Sequence, residues 1–249
     1  MTCETGVSGK RGEFGKLGIV ACDVIRHEIE RALDGRDVPM KVLEFALHER
    51  PQEMPAAVNA AVDGLTSSEG CDRVALGYGL CSNGTVGVSC AKGLTVPRCH
   101  DCIAMLLGSP ARYMKLFLDN PGTMWYTDGW IRNGADPLSF YERRYLPRMG
   151  AKKAFKGMSL EIINYTSFCL INNGVGDIPF LRERVRESAR FFNKEYREIE
   201  SDLSYFRSFV DGPWPESDFL LLKPGEKVDA NYFYKSPEAF LADGGMAAP

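Results

Sequence analysis

Short apolar runs alternate with stretches of helical spacing along most of this chain, and that rhythm restricts it to an α/β fold. The runs KLGIVA at 16–21, PMKVLEFAL at 39–47, RVALG at 73–77 and LTVP at 94–97 read as strands, although the second is long enough for a helix. Runs this apolar need cover on both faces, which a parallel sheet with crossover helices supplies. Helical stretches fall between them at 23–33 and 55–65, and a third at 102–118 is interrupted by Gly108-Ser109-Pro110.

The rhythm continues less sharply in the second half. TMWY at 123–126 precedes a helical region at 138–158, and SFCLI at 167–171 ends on the turn signal Asn172-Asn173-Gly174. An amphipathic helix follows at 180–192, then strands at 196–199 and 219–222 with a short helix at 202–210 between them. The expected fold is α/β: two Rossmann-like halves at 17–120 and 121–228, with mainly parallel sheets and helices on both faces. Residues 1–16 read as a disordered lead and 229–249 as a tail that is loose at its end.

Several function classes are excluded at this point. With 45% apolar and 25% charged residues in 249, the chain can build an ordinary core without staples. A net charge of −3 leaves no dominant basic face, so nucleic acid is not the expected partner. No apolar run approaches the roughly 20 residues that span a bilayer, and the polar, Gly-rich start lacks the apolar segment of a secretory signal. A soluble, cytoplasmic protein with no membrane partner is expected.

Eight cysteines in a reducing compartment are buried hydrophobes, metal ligands or redox thiols, not a disulfide framework. Cys71, Cys90 and Cys169 read as packing, and Cys3 as an exposed terminal thiol. The others are placed more tellingly. Ligands in open parallel sheets bind beyond the carboxyl ends of the strands. Cys22 follows the first strand, Cys81 the third in LGYGLCSNG, and Cys102 the fourth in VPRCHDC. If 98–102 is extended, His100 and Cys102 share a face. The expected metal ligands are therefore Cys22, Cys81, His100 and Cys102. That donor set suits zinc, with an iron–sulfur cluster as the alternative. Without a metal, Cys102 at a helix N-terminus is a candidate nucleophile, with His100 as a catalytic acid–base beside it.

The glycines of Tyr78-Gly79-Leu80-Cys81-Ser82-Asn83-Gly84 match neither the P-loop nor the dinucleotide fingerprint. They read as places where backbone approaches a metal or ligand, so Tyr78, Gly79, Asn83 and Gly84 are expected cofactor contacts. Asp101 is read either as a further contact or as the N-cap of the next helix. His27 and His48 lie in charged stretches and read as solvated. Trp125, Tyr126 and Trp130 read as core in preference to a pocket wall.

The phrases LGYGLCSNGTVG, VPRCHDCIAMLLGS and PGTMWYTDGW, with DFLLLKPG near the end, resemble the family known as domain of unknown function 1638. The resemblance runs over roughly 17–225. Its members pair a first-strand cysteine with the GYGLC and HDC motifs, which fall here on Cys22, Cys81, His100 and Cys102; alanine often stands where this chain has Cys99. The resemblance implies a context of corrinoid-dependent methyl transfer and one-carbon metabolism, hence a corrinoid protein as partner and a small-molecule or thiol substrate. Zinc enzymes that methylate thiols from a corrinoid use a His-x-Cys pair with a distant cysteine, the inventory of His100, Cys102 and Cys81 or Cys22. Three functions remain open: a zinc-dependent methyltransferase or a subunit of one, an iron–sulfur or cofactor-binding accessory protein without catalysis of its own, and a binding module with inert thiols.

Overall fold

The computed structural model describes residues 15–233. The lead expected at 1–16, as far as residue 14, lies outside the described residues, together with Cys3 and the tail from residue 234 onward. Eight strands occur among the described residues: β1 (Leu17–Cys22), β2 (Met40–Leu43), β3 (Arg73–Gly77), β4 (Leu94–Pro97), β5 (Thr123–Tyr126), β6 (Ser167–Asn172), β7 (Glu195–Glu200) and β8 (Phe219–Leu222). They form two mostly parallel sheets with helices, the α/β class expected from the sequence. The chain divides into two compact units, one running to Tyr113 and resuming at Leu203, the other being Met114–Asp202.

The first unit holds a five-stranded sheet in the order β2-β1-β3-β4-β8. Every residue of β1, β3 and β4 is buried, which explains their mainly apolar sequences. The edge strand β2 is half-exposed and stops at Leu43; the rest of the long 39–47 run coils into a 3-10 turn, Phe45–Glu49. Helix α1 (Arg26–Leu33) connects β1 to β2, and α2 (Met54–Ser67) carries the chain back across β1 to β3. The two crossovers run in opposite directions, so their shared right-handedness sets α1 and α2 on opposite faces. Helix α2 buries Met54, Val58, Val62 and Leu65, a stripe of helical period.

The last strand departs from the expected division. β8 was read as part of the second half, yet it pairs antiparallel with β4, with Thr95 opposite Leu221. The apolar FLLL covers an edge of β4 that would otherwise present unpaired backbone groups. Buried Arg73 ties the join, its Nη2 donating to the Leu222 carbonyl at 3.3 Å and its Nε to Thr95 Oγ1 at 2.8 Å.

The second unit is a three-stranded parallel sheet, β5-β6-β7, with β6 central and buried. Tyr126, Leu138, Phe168, Leu170, Leu181, Val185 and Phe192 form its core. The amphipathic helix expected at 180–192 is Ile178–Phe191, capped by Asp177, whose carboxylate accepts from Phe180 N at 3.1 Å. The helical region expected at 138–158 is instead broken at Gly150, which takes φ +73°. No helix among the described residues is long and apolar enough to cross a membrane.

Candidate functional site

In the first sheet the chain leaves β1 toward β2 on one side and returns to β3 on the other, so the strand order reverses between β1 and β3. In open parallel sheets, ligands bind beyond the strand ends at such a point. Cys22 is the last residue of β1, Tyr78–Cys81 follow β3, and Cys99–Cys102 follow β4. These three strands are mutually parallel neighbours, so their carboxyl ends share one edge. Cys22 is 2% exposed and Cys81 and Cys102 are each 7% exposed.

The loops after β3 and β4 are fastened to each other. Leu80 N donates to the Cys99 carbonyl at 2.9 Å and Cys81 N to the His100 carbonyl at 2.8 Å. Such close backbone contact requires Gly79, because a Cβ there would collide with the Cys99 carbonyl oxygen. Gly84 is confined similarly, since its Cβ would sit 2.7 Å from Met54 Sδ. Both glycines, expected as cofactor contacts, allow a close approach of chain to chain. Asn83, from the same expected set, is exposed.

Cys81, Ser82 and Asn83 are all left-handed, with φ of 46°, 56° and 64°. A non-glycine residue in that region costs about 1–2 kcal/mol, so three in succession persist only where the surroundings impose them. Here Gly84 N donates to the Cys81 carbonyl at 2.9 Å, Val86 N to the Asn83 carbonyl at 3.1 Å, and the Thr85 hydroxyl to the Gly79 carbonyl at 2.9 Å. The turn holds the Cys81 side chain inward.

The thiols sense one another. Burial pushes Cys102 far above the ordinary thiol value, and the charges of Asp101, Cys22, Cys81 and Cys99 add to the shift. Burial likewise raises Cys81, with Cys22 the next cause. This opposes the metal-free reading in which the helix N-terminus lowers Cys102 to a thiolate. Helix α3 (Cys102–Leu106) is barely more than one turn, too short to offset desolvation. Asp101 caps it, accepting from Ile103 N at 2.9 Å, while Tyr113 donates to its other oxygen at 3.4 Å.

The histidines exchange environments relative to expectation. Residues 99–101 form a bend, not an extended segment, so the alternation that paired His100 with Cys102 does not operate; Cys99 is buried and His100 exposed. His48 was read as solvated. It is half-buried, with Nε2 3.2 Å from the Cys22 sulfur. Its ring lies 6.1 Å from that of Tyr78 and 5.6 Å from that of Phe45. Burial lowers its pKa, so the neutral imidazole dominates at neutral pH. No local signal in the sequence marks it, because its place depends on where the edge strand β2 stops. Tyr78 is 1% exposed, its hydroxyl has no oxygen or nitrogen partner and lies against the Cys22 thiol, and its pKa is raised by burial and then by Cys22 and Cys81.

Among the described residues, no three His, Cys, Asp or Glu side chains stand in a finished metal-ligating arrangement. The donor types suit a soft cation, but the side chains would have to draw inward to share one. The remaining cysteines pack elsewhere: Cys71 beneath Gly18, Cys90 near Arg73, and Cys169 within β6.

Comparison with known proteins adds one match. The model of a family described as protein of unknown function (DUF1638) matches residues 42–210, more than half of the chain and inclusive of His48, Cys81, His100 and Cys102. No curated protein and no solved structure matches.

Proposed function

The chain belongs to the DUF1638 family, whose function is unassigned, and we propose that it binds a soft metal ion, zinc in preference to an iron–sulfur cluster, through Cys22, Cys81 and Cys102 and one histidine. The observation carrying this reading is the gathering of three buried cysteines on adjoining parallel strands at the reversal point of the sheet. Buried thiols that resist ionisation are poor nucleophiles by themselves. A divalent cation replaces their protons and offsets the cost of holding thiolates away from water.

Bound zinc would supply Lewis acidity, lowering the pKa of a coordinated substrate thiol. The chain's own residues set the conditions. The left-handed turn fixes Cys81, Asp101 holds the start of α3 and with it Cys102, and the packed loops exclude water. In the cytoplasm such a site serves methyl transfer to a thiol or other small molecule, alone or as the subunit of a methyltransferase that meets a corrinoid protein. The second reading, an iron–sulfur or cofactor-binding accessory protein without catalysis, rests on the same thiols.

Purification without oxygen, followed by elemental analysis and a visible spectrum, tests the proposal. One zinc per chain in a colourless protein is expected. A brown protein with absorption near 400 nm favours the cluster, and a chain that neither retains nor takes up metal overturns both.

A further inference from the structure

We propose that the imidazole of this site is His48, reaching in from the turn after β2, and that Tyr78 supplies a hydrogen-bond donor for whatever occupies it. The inference rests on the metal-binding reading above and deepens it by naming the nitrogen ligand and the group beside it.

Position favours His48. The turn Phe45–Glu49 begins where the half-exposed edge strand β2 gives out, and β2 lies next to β1 in register, with Cys22 opposite Leu43. A residue five positions past Leu43 therefore stands over the end of β1, and His48 Nε2 meets the Cys22 sulfur at 3.2 Å. The ring packs against two aromatic neighbours, Phe45 and Tyr78. A donor with one rotamer fixed by packing loses little freedom on binding. His100 is instead exposed on a bend whose inward position is taken by Cys99.

Tyr78 is the second, independent observation. Buried polar side chains almost always have partners, yet this hydroxyl has no oxygen or nitrogen partner, only the weakly bonding Cys22 thiol beside it. A phenol O–H among thiols is a donor waiting for an anionic acceptor. Thiolate sulfur is such an acceptor once a metal has displaced its proton, and outer hydrogen bonds of this kind tune a metal site.

Titration of the full chain with cobalt(II) alone, without oxygen, separates the cases, because cobalt reports its ligands in its d–d spectrum. For the wild type, binding with an intense sulfur-ligand spectrum is expected. His48→Ala should weaken binding by more than about 100-fold, beyond the loss typical of an outer-shell partner, and alter the d–d envelope, whereas His100→Ala should leave both unchanged. Tyr78→Phe, which removes only an outer hydrogen bond, should weaken binding on the order of 10–100-fold and preserve the envelope. His48→Gln, of similar size, repeats the test should the alanine variant fold poorly, with circular dichroism as the check. Cobalt binding in the wild type with an unaltered His48→Gln, or with the loss transferred to His100→Ala, overturns the inference and leaves the metal reading standing. A wild type that binds no cobalt removes the metal reading, and this inference with it.

Discussion

The Cys22 thiol and the His48 imidazole are 3.2 Å apart across twenty-six residues of chain. No local motif links them; the contact exists because β2 lies beside β1 and ends at Leu43, the residue in register with Cys22. It brings a soft sulfur donor and a neutral nitrogen donor together at the point where an open parallel sheet binds its ligands.

Individual thiols should therefore differ in their effect on metal. Cys22→Ser, Cys81→Ser and Cys102→Ser should each lower the metal content sharply, while Cys71→Ser and Cys169→Ser, away from the strand ends, should not. Elemental analysis of folded variants checks this, and equal losses from all five would point to unfolding.

Gly79 should be intolerant of any side chain. Gly79→Ala forces a methyl group into the Cys99 carbonyl, an overpacking expected to cost about 1–3 kcal/mol and to part the two loops that hold Cys81 and Cys102. Gly35→Ala is the control: it has open space around it, and φ +76° alone predicts a cost of about 1–2 kcal/mol. Urea unfolding measures both, and a Gly79→Ala variant of wild-type stability with full metal content refutes the packing role.

Tyr78→Phe should leave the metal-free protein as stable as the wild type or more stable by about 1 kcal/mol, since it removes a buried hydroxyl whose only polar neighbour is the weakly bonding Cys22 thiol. Marked destabilisation of the metal-free form would show that the hydroxyl is satisfied in solution.

The second unit carries its own acid sensitivity. Glu198 is held at about 2, first by its hydrogen bonds from Arg182, against an ordinary value of 4.5. A carboxyl depressed in the folded state contributes stability that is complete above the unfolded value and fades as pH falls toward the folded one. Stability should thus decline between about pH 4.5 and pH 2, and Glu198→Gln should flatten that part of the curve. Thermal unfolding of wild type and variant across the range is the measurement.

Much of the first sheet was readable from sequence because its information is local. Mainly apolar runs marked β1, β3 and β4, and once these are parallel the cysteines following them must share an edge. His48 was not readable, since its place depends on where an edge strand stops, and the run at 39–47 does not mark that point. The choice of His100 assumed an extended 98–102, and the bend after Pro97 removed the alternation on which it stood. The partner of β8 was hidden for another reason: strand pairing between distant segments leaves no periodic trace in either.

That pairing has a consequence for how the protein is made. The strand that closes the first sheet is synthesised after all of β5, β6 and β7, so a ribosome-bound chain carries β4 with a bare edge while the entire second unit emerges. Folding of the cysteine-bearing sheet cannot be completed in order from the N-terminus. A nascent chain arrested before residue 219 holds an open strand ready to pair with another chain.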